Sequence, residues 1–132
     1  MKVDGGLGMG FSPNIAEIAR EAKSQEDRGY DGIWTAETSH DPFLPLAIAA
    51  EHTEKLEIGT AIAVAFARNP MVLANIGWDL QALSNGRFNL GLGSQIKPQI
   101  TKRFSMEWSK QAARMREMIS AMHAIWDSWL NG

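Results

Sequence analysis

The chain has 132 residues, enough for one modest domain but well short of the roughly 250 that a closed β/α barrel typically uses. With 45% hydrophobic and 21% charged residues it has the balance of a packed globular chain, which excludes general disorder. A net charge of −2 without a basic stripe argues against nucleic-acid binding, and the lack of cysteine excludes disulfide frameworks and thiolate metal sites.

Met1–Gly6 has no apolar run of the kind a secretory leader needs, and the apolar stretch from Ala61 to Ala67 is too short to span a bilayer. The expectation is one soluble cytoplasmic domain covering residues 1–132. Val3 to Leu7 reads as a first strand interrupted by glycines. Ser12-Pro13 supplies a cap and a first-turn proline for a helix that carries Ile15, Ile18, Ala19 and Ala22 at helical spacing and stops at Gly29. Ile33 to Ala36 forms a second strand. Asp41-Pro42 opens a helix running to about Glu54.

Leu56 to Val64 reads as a third strand, and Asn69-Pro70 begins a helix that Ser84-Asn85-Gly86 ends. Arg87 to Leu92 is the fourth strand, and a last helix runs from about Ser109 to Leu130. Strand beginnings recur about every 25 to 30 residues, the beat of βαβ units with right-handed crossovers and an all-parallel sheet. The fold class is therefore α/β. A partial (β/α)₈ barrel of four parallel β/α units is the preferred architecture, with an open flavodoxin-type sheet as the alternative.

Ligands of parallel β/α folds bind at the C-terminal ends of strands, which narrows the search to Gly8–Phe11, Glu37–Asp41, Phe66–Asn69 and Gly93–Arg103. Glu37, Thr38, Ser39, His40 and Asp41 crowd a carboxylate and an imidazole beyond an apolar strand. Such a pair suits proton transfer near neutrality; equally, Asp41 can serve only as the next helix's cap. Arg68 suits an anionic group or a surface ion pair. Gly91-Leu92-Gly93-Ser94 lets a planar ligand approach the backbone, and Lys97, Lys102 and Arg103 offer charge to a phosphate or acidic tail. Met115, Met118, Ile119, Met122, Ile125, Trp126 and Trp129 form a core-facing stripe on the last helix. His52 and His123 have no partner set for a metal.

Three segments carry a resemblance: Gly32-Ile33-Trp34-Thr35-Ala36-Glu37, Leu56-Glu57-Ile58-Gly59-Thr60-Ala61-Ile62 and Leu83-Ser84-Asn85-Gly86-Arg87-Phe88-Asn89-Leu90-Gly91-Leu92-Gly93. With Arg68-Asn69-Pro70 and its alanine-rich helix between them, they resemble the N-terminal half of the luciferase-like monooxygenase family. The Ser94-Gln95 pair is similar to the branch that uses coenzyme F420; the FMN branch is the alternative cofactor reading. The resemblance implies a (β/α)₈ barrel, usually dimeric, acting on a small-molecule substrate with a flat ring over the strand C-termini. It implies a non-proline cis peptide at Ala61-Ile62, and contacts to the cofactor from Glu37, Ala61, Ile62, Val64, Ser94 and Gln95.

Glu37 and His40 are the implied catalytic pair. Glu37 stands where the family often has aspartate, and Thr38 where some relatives have histidine, with His40 two positions on. Sugar-phosphate-oxidising relatives carry glutamate where this chain has Ile96, which argues against that reaction. The family's main phosphate contacts come from later strands, so a catalytically silent half-barrel or self-associating module is the competing reading.

Overall fold

The computed structural model describes residues 1–10 and 12–132. Its chain divides into two compact units, Met1–Ala63 with Asp79–Gly91, and Val64–Trp78 with Leu92–Gly132.

The first unit carries a parallel sheet of β1 (Asp4–Gly6), β2 (Gly32–Thr35), β3 (Glu57–Thr60) and β5 (Phe88–Asn89), in that spatial order. Register runs from Asp4 to Gly32 to Glu57, and from Ile58 to Phe88. Each strand is added beside its predecessor, with β2 between β1 and β3. A flavodoxin-type sheet would instead place β1 between β2 and β3. The sheet therefore follows a partial (β/α)₈ barrel, four parallel β/α units, and the open-sheet alternative is discarded.

Helices α1 (Ile15–Asp27) and α2 (Leu44–His52) pack on each other and on β2 and β3. Ile33, Leu46 and Ile58 have no exposed surface, and burying each side chain contributes about 1.5–3 kcal/mol. The start of α1 differs from the sequence expectation. Asn14, not Ser12, is the cap, its side-chain oxygen accepting from Ala16 N and Glu17 N at 3.0 and 3.3 Å. Gly29 does end the helix, in the left-handed conformation at φ +85°. Helix α2 begins at Leu44, with Asp41 Oδ1 accepting from Phe43 N and Leu44 N at 2.7 and 3.0 Å.

On one sheet face Trp34 lies across Gly59 and donates its indole N–H to Asp4 at 3.0 Å. A Cβ at Gly59 would run into the Trp34 ring and stand 2.7 Å from Asn89 O. Gly59→Ala is therefore expected to cost about 1–2 kcal/mol through overpacking. Thermal unfolding of the variant is the check; an unchanged melting temperature would refute the contact.

Opposite charges hold the α2–β3 turn from two sides. Glu26 of α1 accepts from the backbone N–H groups of Glu54, Lys55 and Leu56 at 2.9, 2.7 and 3.1 Å. Arg87, just before β5, donates to Ala50 O, Thr53 O and Leu56 O, and also to Thr53 Oγ1 and Ser84 O, at 2.7–3.1 Å. Three orphan donors and three orphan carbonyls are satisfied at once.

The two longer strands expected from sequence are each broken. The apolar run Leu56–Val64 stops pairing after Ala61 N makes the last regular bond of the β2–β3 ladder, to Thr35 O at 2.6 Å. Glu37 N then bonds to Ile62 O instead of Ala61 O, and the run resumes as β4 (Ala63–Val64). The run Arg87–Leu92 splits into β5 and β6 (Leu92–Gly93), with Gly91 engaged by Thr60: Gly91 N donates to Thr60 Oγ1, which donates to Gly91 O. Strand β6 hydrogen-bonds to β4 in a separate two-stranded sheet.

In the second unit, Val64, Ala65 and Phe66 are buried, the last two opening a 3₁₀ turn. Helix α3 (Pro70–Leu83) begins and ends as the sequence predicts, and crosses from this unit into the first. Trp126 of α4 (Gln111–Asn131) donates to Ala74 O at 3.0 Å, and Trp78 meets Trp129 edge-on at 5.3 Å. The expected core stripe on α4 is only partly realised. Met122 is its one buried residue, while Ile119 and Trp129 are 41% and 39% exposed.

Candidate functional site

Strands β1 and β2 end at a cavity of about 510 Å³, within the size range of small-molecule sites. Leu7, Gly10, Thr35, Thr38, His40 and Pro42 are among its lining residues. Its walls follow from strand register. Leu7 N donates to Trp34 O at 3.0 Å, setting the end of β1 beside that of β2. Thr35, at the last position of β2, is buried and donates its hydroxyl to Pro42 O at 2.8 Å, which folds the Glu37–Asp41 loop back over the strand end.

His40 Nε2 lies 3.0 Å from Gly10 O, tying this loop to the one after β1. Gly10 has φ +63°, a left-handed conformation that favours glycine. Phe11, also in the loop singled out from sequence, lies outside the described residues.

Glu37 lies two residues beyond the end of β2 and is 8% exposed. Its backbone N–H donates to Ile62 O at 3.1 Å. That bond, with the Ala61–Thr35 bond, brings Glu37, Ala61 and Ile62 together at the ends of β2 and β3. The Ala61–Ile62 peptide is cis, as the resemblance implies.

The other expected site residues belong to the second unit. Val64 is in β4, and Ser94 and Gln95 directly follow its hydrogen-bonded partner β6. Gln95 has φ 59°, and its side-chain oxygen accepts from Ile96 N at 3.3 Å. Arg68 Nη1 donates to Val64 O at 2.9 Å. Arg114 stacks over the Phe66 ring at 4.3 Å and donates to Glu107 O. Lys102 and Arg103 lie in a π-helical turn (Gln99–Arg103), with Arg103 against the Phe104 ring at 4.8 Å. His52 ends α2, and His123 sits edge-on to Trp126 at 5.5 Å. Among the described residues no group of three potential metal ligands occurs, and no helix is long and apolar enough to cross a membrane.

Sequence reasoning named the Gly8–Phe11 loop but not Gly10 as the partner of His40. A Gly-x-Gly in a strand-end loop was the available signal. It also missed Thr35, whose position at the end of an apolar strand marks a hydroxyl turned back onto its own loop.

In its chemistry the cavity offers hydroxyls, backbone groups, one imidazole and the carboxylate residue Asp41, whose Oδ1 caps α2, with the mostly buried Glu37 next to its lining residues in the chain. Comparison with known proteins extends this picture. A family model described as luciferase-like monooxygenase matches residues 2–130. An uncharacterized protein of Mycobacterium tuberculosis is 59% identical over the whole of this chain, which covers 38% of that protein. A putative coenzyme F420-dependent oxidoreductase of the same organism is 33% identical over 86% of this chain and 32% of its own length. Among solved structures, the oxygenating constituent of 3,6-diketocamphane monooxygenase from Pseudomonas putida, in complex with FMN, superposes with a TM-score of 0.83. It is 21% identical, over 96% of this chain and 40% of that one. The chain thus spans under two fifths of the length of these two Mycobacterium relatives. With a family match over nearly all its residues and the parallel unit order to go with it, the chain belongs to the luciferase-like monooxygenase family.

Proposed function

We propose that residues 1–132 are the N-terminal half of a (β/α)₈ oxidoreductase that transfers hydride between a small-molecule substrate and coenzyme F420. The observation that carries this reading is the Glu37 N to Ile62 O bond, which sets a mostly buried carboxylate residue against the Ala61–Ile62 segment at the strand ends. The 33% identity to a putative F420-dependent oxidoreductase supports the choice of cofactor.

Gly8 and Gly10, which lack side chains, and the short side chain of Thr38 suit the cavity to a flat ring approaching the backbone. Glu37, Ala61 and Ile62 would meet the ring, and the family resemblance adds Val64, Ser94 and Gln95. When bound, the deazaflavin supplies the hydride chemistry. Glu37 and His40 would hold or move the proton at the substrate oxygen.

A second reading, flavin-dependent monooxygenation with FMN, draws on the shared fold of the FMN-bound monooxygenase constituent. The exposed Ile119, Trp129 and Leu130 on α4 favour self-association, as a homodimer or a larger assembly, in either reading. A catalytically silent module would show that association alone. A cytoplasmic location completes the proposal.

Titrating the purified chain separately with F420 and FMN, with its mass followed by light scattering, tests the assignment. Saturable F420 binding at least tenfold tighter than FMN is expected, weakened in Glu37→Ala. Tighter FMN binding would move the assignment to monooxygenation. Binding of neither, in every assembly state, would overturn the cofactor reading.

A further inference from the structure

We infer that Gly10 is a positioning residue: its carbonyl fixes His40 as the Nε2–H tautomer and leaves Nδ1 as the cavity's proton acceptor. This rests on the reading of His40 as the group that handles the substrate proton.

A backbone carbonyl only accepts. The 3.0 Å contact between His40 Nε2 and Gly10 O therefore requires the hydrogen on Nε2. In the neutral ring the lone pair then belongs to Nδ1, and the hydrogen bond made by one nitrogen decides what the other does. Both residues line the same cavity, so the fixed tautomer belongs to the ligand-accessible side of the strand ends. The carbonyl's direction depends in turn on the Gly10 backbone, which holds φ +63°. A Cβ there would meet nothing within 4 Å, so the requirement for glycine is conformational rather than steric.

An accepting Nδ1 selects what it receives. A substrate hydroxyl donates to it, whereas a carbonyl oxygen at the same place faces lone pair against lone pair. In its neutral form the ring is thus set to receive an alcohol, and a carbonyl is received only by a ring that carries a second proton.

Nitrogen-15 NMR of the imidazoles, recorded on the cofactor-free chain at alkaline pH, reads the tautomer directly. Loss of a signal in His40→Gln gives the assignment, and the exposed His52 and His123 serve as internal references. His40 should show a pyrrole-like Nε2 and a pyridine-like Nδ1, biased beyond the two references by about fivefold, the effect of one ordinary hydrogen bond. Gly10→Val, whose branched side chain disfavours the left-handed region, should return His40 to the reference ratio. Gly10→Asn, which tolerates that region, should keep the bias.

A protonated Nδ1, or an unchanged His40 spectrum in Gly10→Val, would overturn the inference. The spectrum needs neither cofactor nor substrate, so its failure leaves the F420 and FMN titrations to be judged on their own result.

Discussion

Arg87→Ala is expected to lower the unfolding free energy by roughly 3–5 kcal/mol, the cost of breaking a charge-assisted network and stranding its acceptors. The guanidinium reaches Ala50 O, Thr53 O, Thr53 Oγ1, Leu56 O and Ser84 O, so its removal strips partners from the end of α2, the following turn and the end of α3 together. Arg87→Lys should recover little. An ammonium carries the charge but lacks the planar fork that divides five bonds among three segments. Urea unfolding, read as a fall in midpoint at constant slope, measures the loss. A loss below about 1 kcal/mol would mean that water serves those carbonyls equally well.

Glu26→Gln should be the second largest, at about 2–3 kcal/mol near neutral pH, because its carboxylate accepts three backbone N–H groups. Burial alone would push the carboxyl up. The bonds from Lys55, Glu54 and Leu56, with help from Lys23, outweigh it and hold Glu26 below its ordinary value of 4.5. A carboxyl lowered in the folded state contributes stability above its unfolded value, and that contribution is lost as pH falls through the folded value. The wild type should therefore lose stability progressively below about pH 4.5. Glu26→Gln should be less stable at pH 7 and show a flatter acid limb. Parallel pH profiles of the two proteins would contradict the assignment. Lys23 itself bridges Glu26 and Asp27 at 3.4 and 2.8 Å from a half-exposed position, and such surface pairs contribute little.

Much of this architecture is legible in the sequence because it is written in local signals. Asn69-Pro70 and Ser84-Asn85-Gly86 bracket α3 as observed, and Gly29 ends the first helix. The strand runs failed differently. Leu56–Val64 and Arg87–Leu92 are apolar or β-branched enough to look continuous, yet each is interrupted, the first where Glu37 N skips to Ile62 O and the second where Gly91 is taken up by the Thr60 hydroxyl. Periodicity records which residues are apolar, not which backbone group changes partner. Asn14 took the cap from Ser12 because both residue types cap well and only the approach of the chain decides between them.

At the candidate site, Glu37 and His40 were visible as chemistry crowded behind a strand. The contact from His40 to Gly10 O spans 30 residues and involves a main-chain atom, which no side-chain pattern encodes. Glu26 and Arg87 were invisible for the same reason: every partner but Lys23 and Ser84 lies at least 28 positions away, and most are backbone groups. On α4 the stripe was read correctly as apolar, but its burial depends on what lies opposite, and only Met122 finds a full covering.

The Glu26–Arg87 grip on the α2–β3 turn sits where strands begin, and the cavity sits where they finish. Robustness and chemistry are thereby assigned to opposite poles of the same sheet. Loops at the cavity pole can exchange residues, lengthen or acquire new specificity while the anchoring pole keeps the scaffold standing. A fold arranged in this way is readily evolvable: one scaffold can be retuned for many substrates without first being made stable again.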